Sequence, residues 1–412
     1  MGILNKYFLG EVVGRQRWYM LLILFLVTVG FEGFRYVNWT FGNFIFSTSI
    51  LMLSILCILN INTYKNCNFT SIVIMLIILP FFSIINSFSI YNQGIFESAR
   101  ANFSMSFIWV IYFVFHIFRV RESTVLKAFF CISVFIVAVQ IIQQFTYPYA
   151  LFGINTEDDI IEQGLNETAE MRNGLWRFRM HINGYYTVPI IFLMVNWLRK
   201  KIDIRLIVYF VLLLISIYLT LTRQVILATL FTIFFSFFTK NFRYISIGFI
   251  IALLLYMNYD SLLGDMAEKT NNELNKNNIR LYAALYYWQD SLKEFTTFLF
   301  GYGLPGPRGA FYNYVQKLHD LGLHVVDVGF IGIIWRYGLL YVIICFYLLY
   351  CLFFKFRRYI PLYIRLFVVY VSVMAIMIFP IGASQVMTMI WPLLLYICDL
   401  HINKSQFALI TT

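Results

Sequence analysis

Charge is what this sequence has least of. Only 12% of its 412 residues are Asp, Glu, Lys or Arg, against 61% that are hydrophobic. So little charge cannot cover a water-soluble globule of this size, which excludes the soluble enzymes and binding modules. Nucleotide loops find little support as well: there is no Walker A sequence, and the GxGxxG spacing of Gly301 to Gly306 lies in a Pro-containing turn, so chemistry driven by a nucleotide is not supported. The linear sequence shows no DxD, no HExxH and no run of His and Cys at metal-ligand spacing, so neither a metal nor a cofactor is expected. Six cysteines are present, Cys57, Cys67, Cys131, Cys345, Cys351 and Cys398, and none forms a CxxC pair. Lying mostly inside apolar runs, they read as small buried hydrophobes without a disulfide frame.

Long apolar stretches take the place of charge. Runs able to cross roughly 30 Å of hydrocarbon fall near residues 18–34, 41–60, 70–88, 103–118, 127–148, 183–198, 205–221, 224–239, 244–258, 326–354, 362–380 and 384–400. The expected fold class is therefore an all-α polytopic membrane protein of about 12 transmembrane helices, one integral membrane domain over residues 1–412. The net charge of +11 belongs to loops on one side of a membrane and not to a nucleic-acid surface. That side collects Lys6, Arg15, Arg17, Lys65, Arg119, Arg121, Arg199, Lys200, Lys201, Lys240, Arg243, Lys355, Arg357 and Arg358. By the positive-inside rule it is cytoplasmic, with both termini inside and the first span acting as an anchor that is not removed.

Two segments on the other side are longer than a turn, residues 149–182 and 259–325, and are expected to form an outer cap. The first sorts its charges: Glu157, Asp158, Asp159, Glu162, Glu167 and Glu170, then Arg172, Arg177 and Arg179 beside the membrane, with His181 at the same border. A guanidinium holds phosphate oxygens in a fork, so these arginines suit an anionic lipid headgroup, although a solvated loop would look the same. Arg223, in Thr222-Arg223-Gln224, stands between two apolar runs with almost no loop around it. Burying such a charge costs about 2.5–3.5 kcal/mol, and it persists when paired, used or snorkelling outward.

The stretch from Asn277 to Gly338 organises the rest. Arg280 begins a one-sided helix with the apolar stripe Leu281, Leu285, Trp288, Leu292 and Phe295, suited to lying on a membrane surface. Gly301-Tyr302-Gly303-Leu304-Pro305-Gly306-Pro307 then forbids helix and strand, so the chain must turn. His324 and Asp327 sit where the chain re-enters the apolar phase at Gly329 and Gly332; imidazole exchanges protons near neutral pH, and Asp327 could orient it or serve as the base itself. The glycines allow close approach of a helix or a substrate.

In order and spacing, Arg177 to Gly184, Thr222-Arg223-Gln224, Arg280 with Trp288 and Gly301-Tyr302-Gly303, and His324 to Gly338 resemble the O-antigen polymerase and ligase superfamily over about the last 240 residues. The resemblance implies a GT-C-like helical bundle with a large periplasmic loop holding amphipathic interfacial helices, in a bacterial inner membrane, and a metal-independent glycosyltransferase. Carried over by position, Arg223 and Arg280 would hold the pyrophosphate of an undecaprenyl-linked oligosaccharide, and His324 would meet the acceptor hydroxyl. His324 is followed by Val325 where the ligases commonly carry Asn, which favours polymerase over ligase. A chain-length regulator and a flippase are the implied protein partners. Tyr282, Tyr286, Tyr287, Tyr302, Tyr312 and Tyr314 could stack on sugar faces or sit as interfacial belt residues. A flippase or transporter of lipid-linked oligosaccharide is the non-enzyme alternative.

Overall fold

The computed structural model describes residues 14–26, 40–64, 67–146, 169–172, 174–178, 184–200, 203–238, 279–383 and 385–410. It is mostly helical. In chain order the elements are α1 (Arg15–Phe25), α2 (Thr40–Leu59), α3 (Thr70–Tyr91), α4 (Ile95–Phe107), α5 (Val110–Phe118), α6 (Glu122–Thr146), strands β1 (Ala169–Arg172) and β2 (Leu175–Phe178), α7 (Val188–Leu198), α8 (Ile204–Leu219), α9 (Arg223–Phe238), α10 (Ile279–Ser291), α11 (Phe295–Phe300), α12 (Ala310–Asp320), α13 (Gly329–Tyr350), α14 (Leu362–Met374) and α15 (Gln385–Ile410), with short helical turns between them. Arg179, His181, the expected ninth span and the segment 259–278 lie outside the described residues.

Among the described residues three helical stretches are long and apolar enough to cross a membrane: Thr70–Tyr91, Glu122–Thr146 and Val325–Lys355. A fourth is counted if Ile95–Phe103 and Met105–Phe118, bent by 41°, make one span. Other expected spans correspond to shorter helices: α7 has 11 residues, α8 and α9 have 16 each, and α14 has 13. At 1.5 Å per residue none of these four alone reaches across roughly 30 Å.

The chain divides into two compact units. The first, Met1–Gly42, Ser123–Asn278 and Leu362–Val373, contains the β-hairpin with α7, α8, α9 and α14. Its hairpin pairs Glu170 with Arg177 and Arg172 with Leu175, antiparallel. Gln144 at the end of α6 holds it twice, donating from Nε2 to the Trp176 carbonyl at 2.6 Å and accepting from the Trp176 amide at 2.9 Å.

The second unit is Asn43–Glu122, Ile279–Pro361 and Met374–Thr412. α10 turns Ala283, Tyr287 and Asp290 inward, and α12 does the same with Phe311, Val315 and Leu318, spaced three or four apart as one helix face requires. They pack with Tyr302, Leu323, Val325, Val328 and Trp335 into one aromatic-rich core. The expected apolar stripe stays largely outside it: Leu281, Leu285, Leu292 and Phe295 are exposed, and Trp288 is half-buried.

α13 is not continuous. Gly338 adopts φ 83°, ψ 169° and breaks the ladder. Carbonyls released there accept from the glycine loop instead, Trp335 O from the Tyr302 amide at 2.8 Å and Arg336 O from the Gly303 amide at 2.7 Å. α3 holds the loop from its other side: Asn86 Nδ2 donates to Gly301 O at 2.7 Å and to Thr296 O at 3.1 Å, and Ser87 Oγ donates to Tyr302 O. A side chain at residue 301 would collide with the Arg336 and Tyr337 backbone, so close threading demands glycine there. Irregular backbone beside apolar spans persists only where protein groups satisfy it, and here they do.

Candidate functional site

In the first unit α8 gives way to α9 within a three-residue corner. Leu221 turns the chain by taking φ 46°, a left-handed conformation rarely adopted by a branched residue, and is fully buried. Threonines on either side hold the corner: Thr220 Oγ1 donates to Ile217 O at 2.7 Å, and Thr222 Oγ1 to Thr220 O at 3.1 Å. Two expected arginines reach this corner from the hairpin. Arg172 Nη1 donates to Leu221 O at 3.3 Å, and Arg177 Nη2 to Thr222 Oγ1 at 3.5 Å. Arg223 is the next residue. Two of the guanidinium groups selected from sequence thus meet at one strained turn, and half-buried Arg223 follows it directly in the chain.

The second unit carries the remaining expected residues. His324 is exposed in extended backbone ahead of a 3₁₀ turn, Val325–Val328, that contains half-buried Asp327. Among the described residues no side-chain hydrogen bond or ion pair joins His324 to Asp327; the Asp327 amide donates to the His324 carbonyl at 3.1 Å. The orienting role expected of Asp327 is therefore not seen. His319 faces His324 instead, with ring centroids 5.0 Å apart. Burial first, then His324 and Arg336, push the His319 imidazole below its ordinary value. Gly329 permits close packing as expected, its amide donating to Met377 O at 2.9 Å where a Cβ would strike the Ala375 and Ile376 carbonyls.

Tyr287 requires a correction. Expected among the sugar-binding residues, it is fully buried, donates to Leu323 O at 2.7 Å and packs edge-on to Trp335 at 5.2 Å, so neither ring face is open to a saccharide. Tyr302 is likewise interior and donates to the Asp290 carbonyl at 3.0 Å. Tyr286 and Tyr314 are half-buried with hydroxyls 2.8 Å apart, and Tyr282 is exposed.

Sequence reasoning passed over Arg336. It stands inside an apolar run, the same signal that singled out Arg223, and donates from Nη1 to the Ala383 carbonyl at 3.1 Å. Asp290 was also missed. Buried beneath the aromatic core, it accepts from Trp335 Nε1 at 2.8 Å and Tyr314 Oη at 3.2 Å, and pairs with Lys293 at 2.7 Å.

These features define a mostly helical membrane protein with an arginine corner in one unit and a histidine pair in the other. No protein-family model matches the chain, and no curated protein matches it.

Proposed function

We propose that the chain is a polymerase of lipid-linked surface polysaccharide, transferring a growing glycan from undecaprenyl pyrophosphate to a new lipid-linked repeat unit on the periplasmic face of a bacterial inner membrane. The observation that carries this reading is the convergence of Arg172 and Arg177 on the Leu221-Thr222 corner that Arg223 follows. Fixed guanidinium groups beside apolar helices suit a lipid-borne diphosphate, and strained backbone of this kind concentrates at functional sites.

In the reaction, an acceptor hydroxyl attacks the anomeric carbon and a new C–O bond forms as the bond to pyrophosphate breaks. The leaving group departs with additional negative charge, which arginine stabilises without a metal. The hydroxyl proton goes to a general base. The distribution of Lys and Arg supports termini on the cytoplasmic side.

The test is an in-vitro assay of purified protein with lipid-linked repeat unit alone, read as a ladder on a gel. A ladder in the wild type, lost by at least about 100-fold in Arg223→Ala and Arg280→Ala while both variants remain membrane-inserted, supports the reading. Transfer only when lipid A core is supplied would make it a ligase. No product from either acceptor, with substrate shown to be intact, would overturn the enzyme reading.

A further inference from the structure

The second unit holds a side-chain cluster outside the features used so far. Cys67 lies on the corner before α3, His116 in the last turn of α5, and Asp399 inside α15. Cys67 Sγ is 3.4 Å from His116 Nδ1, and His116 Nε2 is 3.2 Å from Asp399 Oδ2. One potential ligand atom from each residue falls within 4.8 Å of the other two. Tyr112 and Tyr396 hold the imidazole edge-on, at centroid distances of 4.7 and 4.8 Å.

Two observations point beyond a hydrogen-bond network. Asp399 is 0% exposed in an apolar helix, where a carboxylate is costly even with hydrogen-bond donors around it. His116 Nε2, also buried, is paired with that carboxylate at 3.2 Å without the alignment of a hydrogen bond. A nitrogen and a carboxylate oxygen so placed can share a cation as well as pair with each other. Their separation of 3.2 Å matches the edge of about 3.3 Å expected for N and O ligands on a tetrahedral zinc ion.

We propose that Cys67, His116 and Asp399 form a binding site for a divalent cation of the zinc class. Thiolate, imidazole and carboxylate together suit borderline metals and disfavour Mg²⁺ and Ca²⁺, which take oxygen. The carboxylate is oriented as a ligand should be: Oδ1 accepts from the Asn68 amide at 3.1 Å and from Asn68 Nδ2 at 2.8 Å, and Oδ2 accepts from the Tyr112 hydroxyl. Cys67 and His116 are only partly buried. On binding, the Cys67 thiol releases its proton to solvent and its sulfur turns toward the metal. The Lys/Arg distribution puts this site on the cytoplasmic side, where thiols stay reduced.

The test uses full-length protein, purified in detergent and stripped with chelator, titrated with Co²⁺ as a spectroscopic probe and then with Zn²⁺. The expected result is one Co²⁺ per chain with a thiolate-to-cobalt charge-transfer band, displaced by one equivalent of Zn²⁺. Cys67→Ser should remove the band. Asn68→Ala, which alters only the orienting shell, should keep the band and weaken binding roughly 10–100-fold. Cys67→Ser changes one small, partly exposed side chain, and metal-free melting checks that it folds. A wild type that binds no Co²⁺, or a band that survives Cys67→Ser, overturns the proposal.

Discussion

A carboxylate only 2% exposed needs donors around it, and Asp290 draws them from the turn after α10, from α12 and from α13 through Lys293, Tyr314 and Trp335. Asp290→Ala orphans the Trp335 indole, at about 1–3 kcal/mol, and leaves the Tyr314 hydroxyl only Tyr286, so a clear drop in melting temperature is expected in detergent-solubilised protein. An unchanged melting curve would mean the network carries no stability. His319 gives a pH-dependent prediction. Its imidazole titrates below the ordinary value in the folded protein, so between the two values the unfolded chain binds more protons. Stability then falls as the pH drops from about 7 through the unfolded value toward the folded one. His319→Gln removes that contribution, and melting measured between about pH 7 and about pH 5 should show a shallower decline than in the wild type.

At the scale of elements, the broken helix makes the sharper prediction. Gly338 sits at φ 83°, and a Cβ there would collide with the Leu299 carbonyl. Gly338→Ala should cost at least about 1–3 kcal/mol from backbone strain alone, read as thermal destabilisation; a wild-type melting temperature would show that α13 can close up without its break. The same region shows what sequence could and could not reveal. The outward stripe of α10 was legible because a 3.6-residue period writes one face of a helix into local sequence, and Leu281, Leu285 and Leu292 follow it. The turn at Gly301–Pro307 was legible from its residue types. Threading of that turn against α3 was not, because Asn86 meets Gly301 across 215 positions and nothing local links them. Cys67, His116 and Asp399 were invisible as a group for the same reason. Arg172, Arg177 and Arg223 were legible one by one, as charges at membrane borders, but their common corner needed the hairpin.

For the molecule as a whole, sidedness is the property that most of the functional reading depends on. Leu321 and Arg358 are both exposed, on segments that the Lys/Arg distribution assigns to opposite faces. In intact spheroplasts of a Cys131→Ser background, a membrane-impermeant maleimide should label Leu321→Cys and spare Arg358→Cys until the membrane is permeabilised. Equal labelling of both before permeabilisation would remove the basis for a periplasmic reaction.

The grip of Asn86 on the Gly301 loop also sets an order of events during synthesis. At ribosomal speeds of about 5–20 residues per second, Asn86 is made roughly 10–40 s before its acceptors at Thr296 and Gly301. α3 must therefore enter the membrane on the strength of its apolar residues while its amide waits for a partner. Docking of the loop is a late step in biogenesis, one that a chain interrupted before residue 296 cannot take.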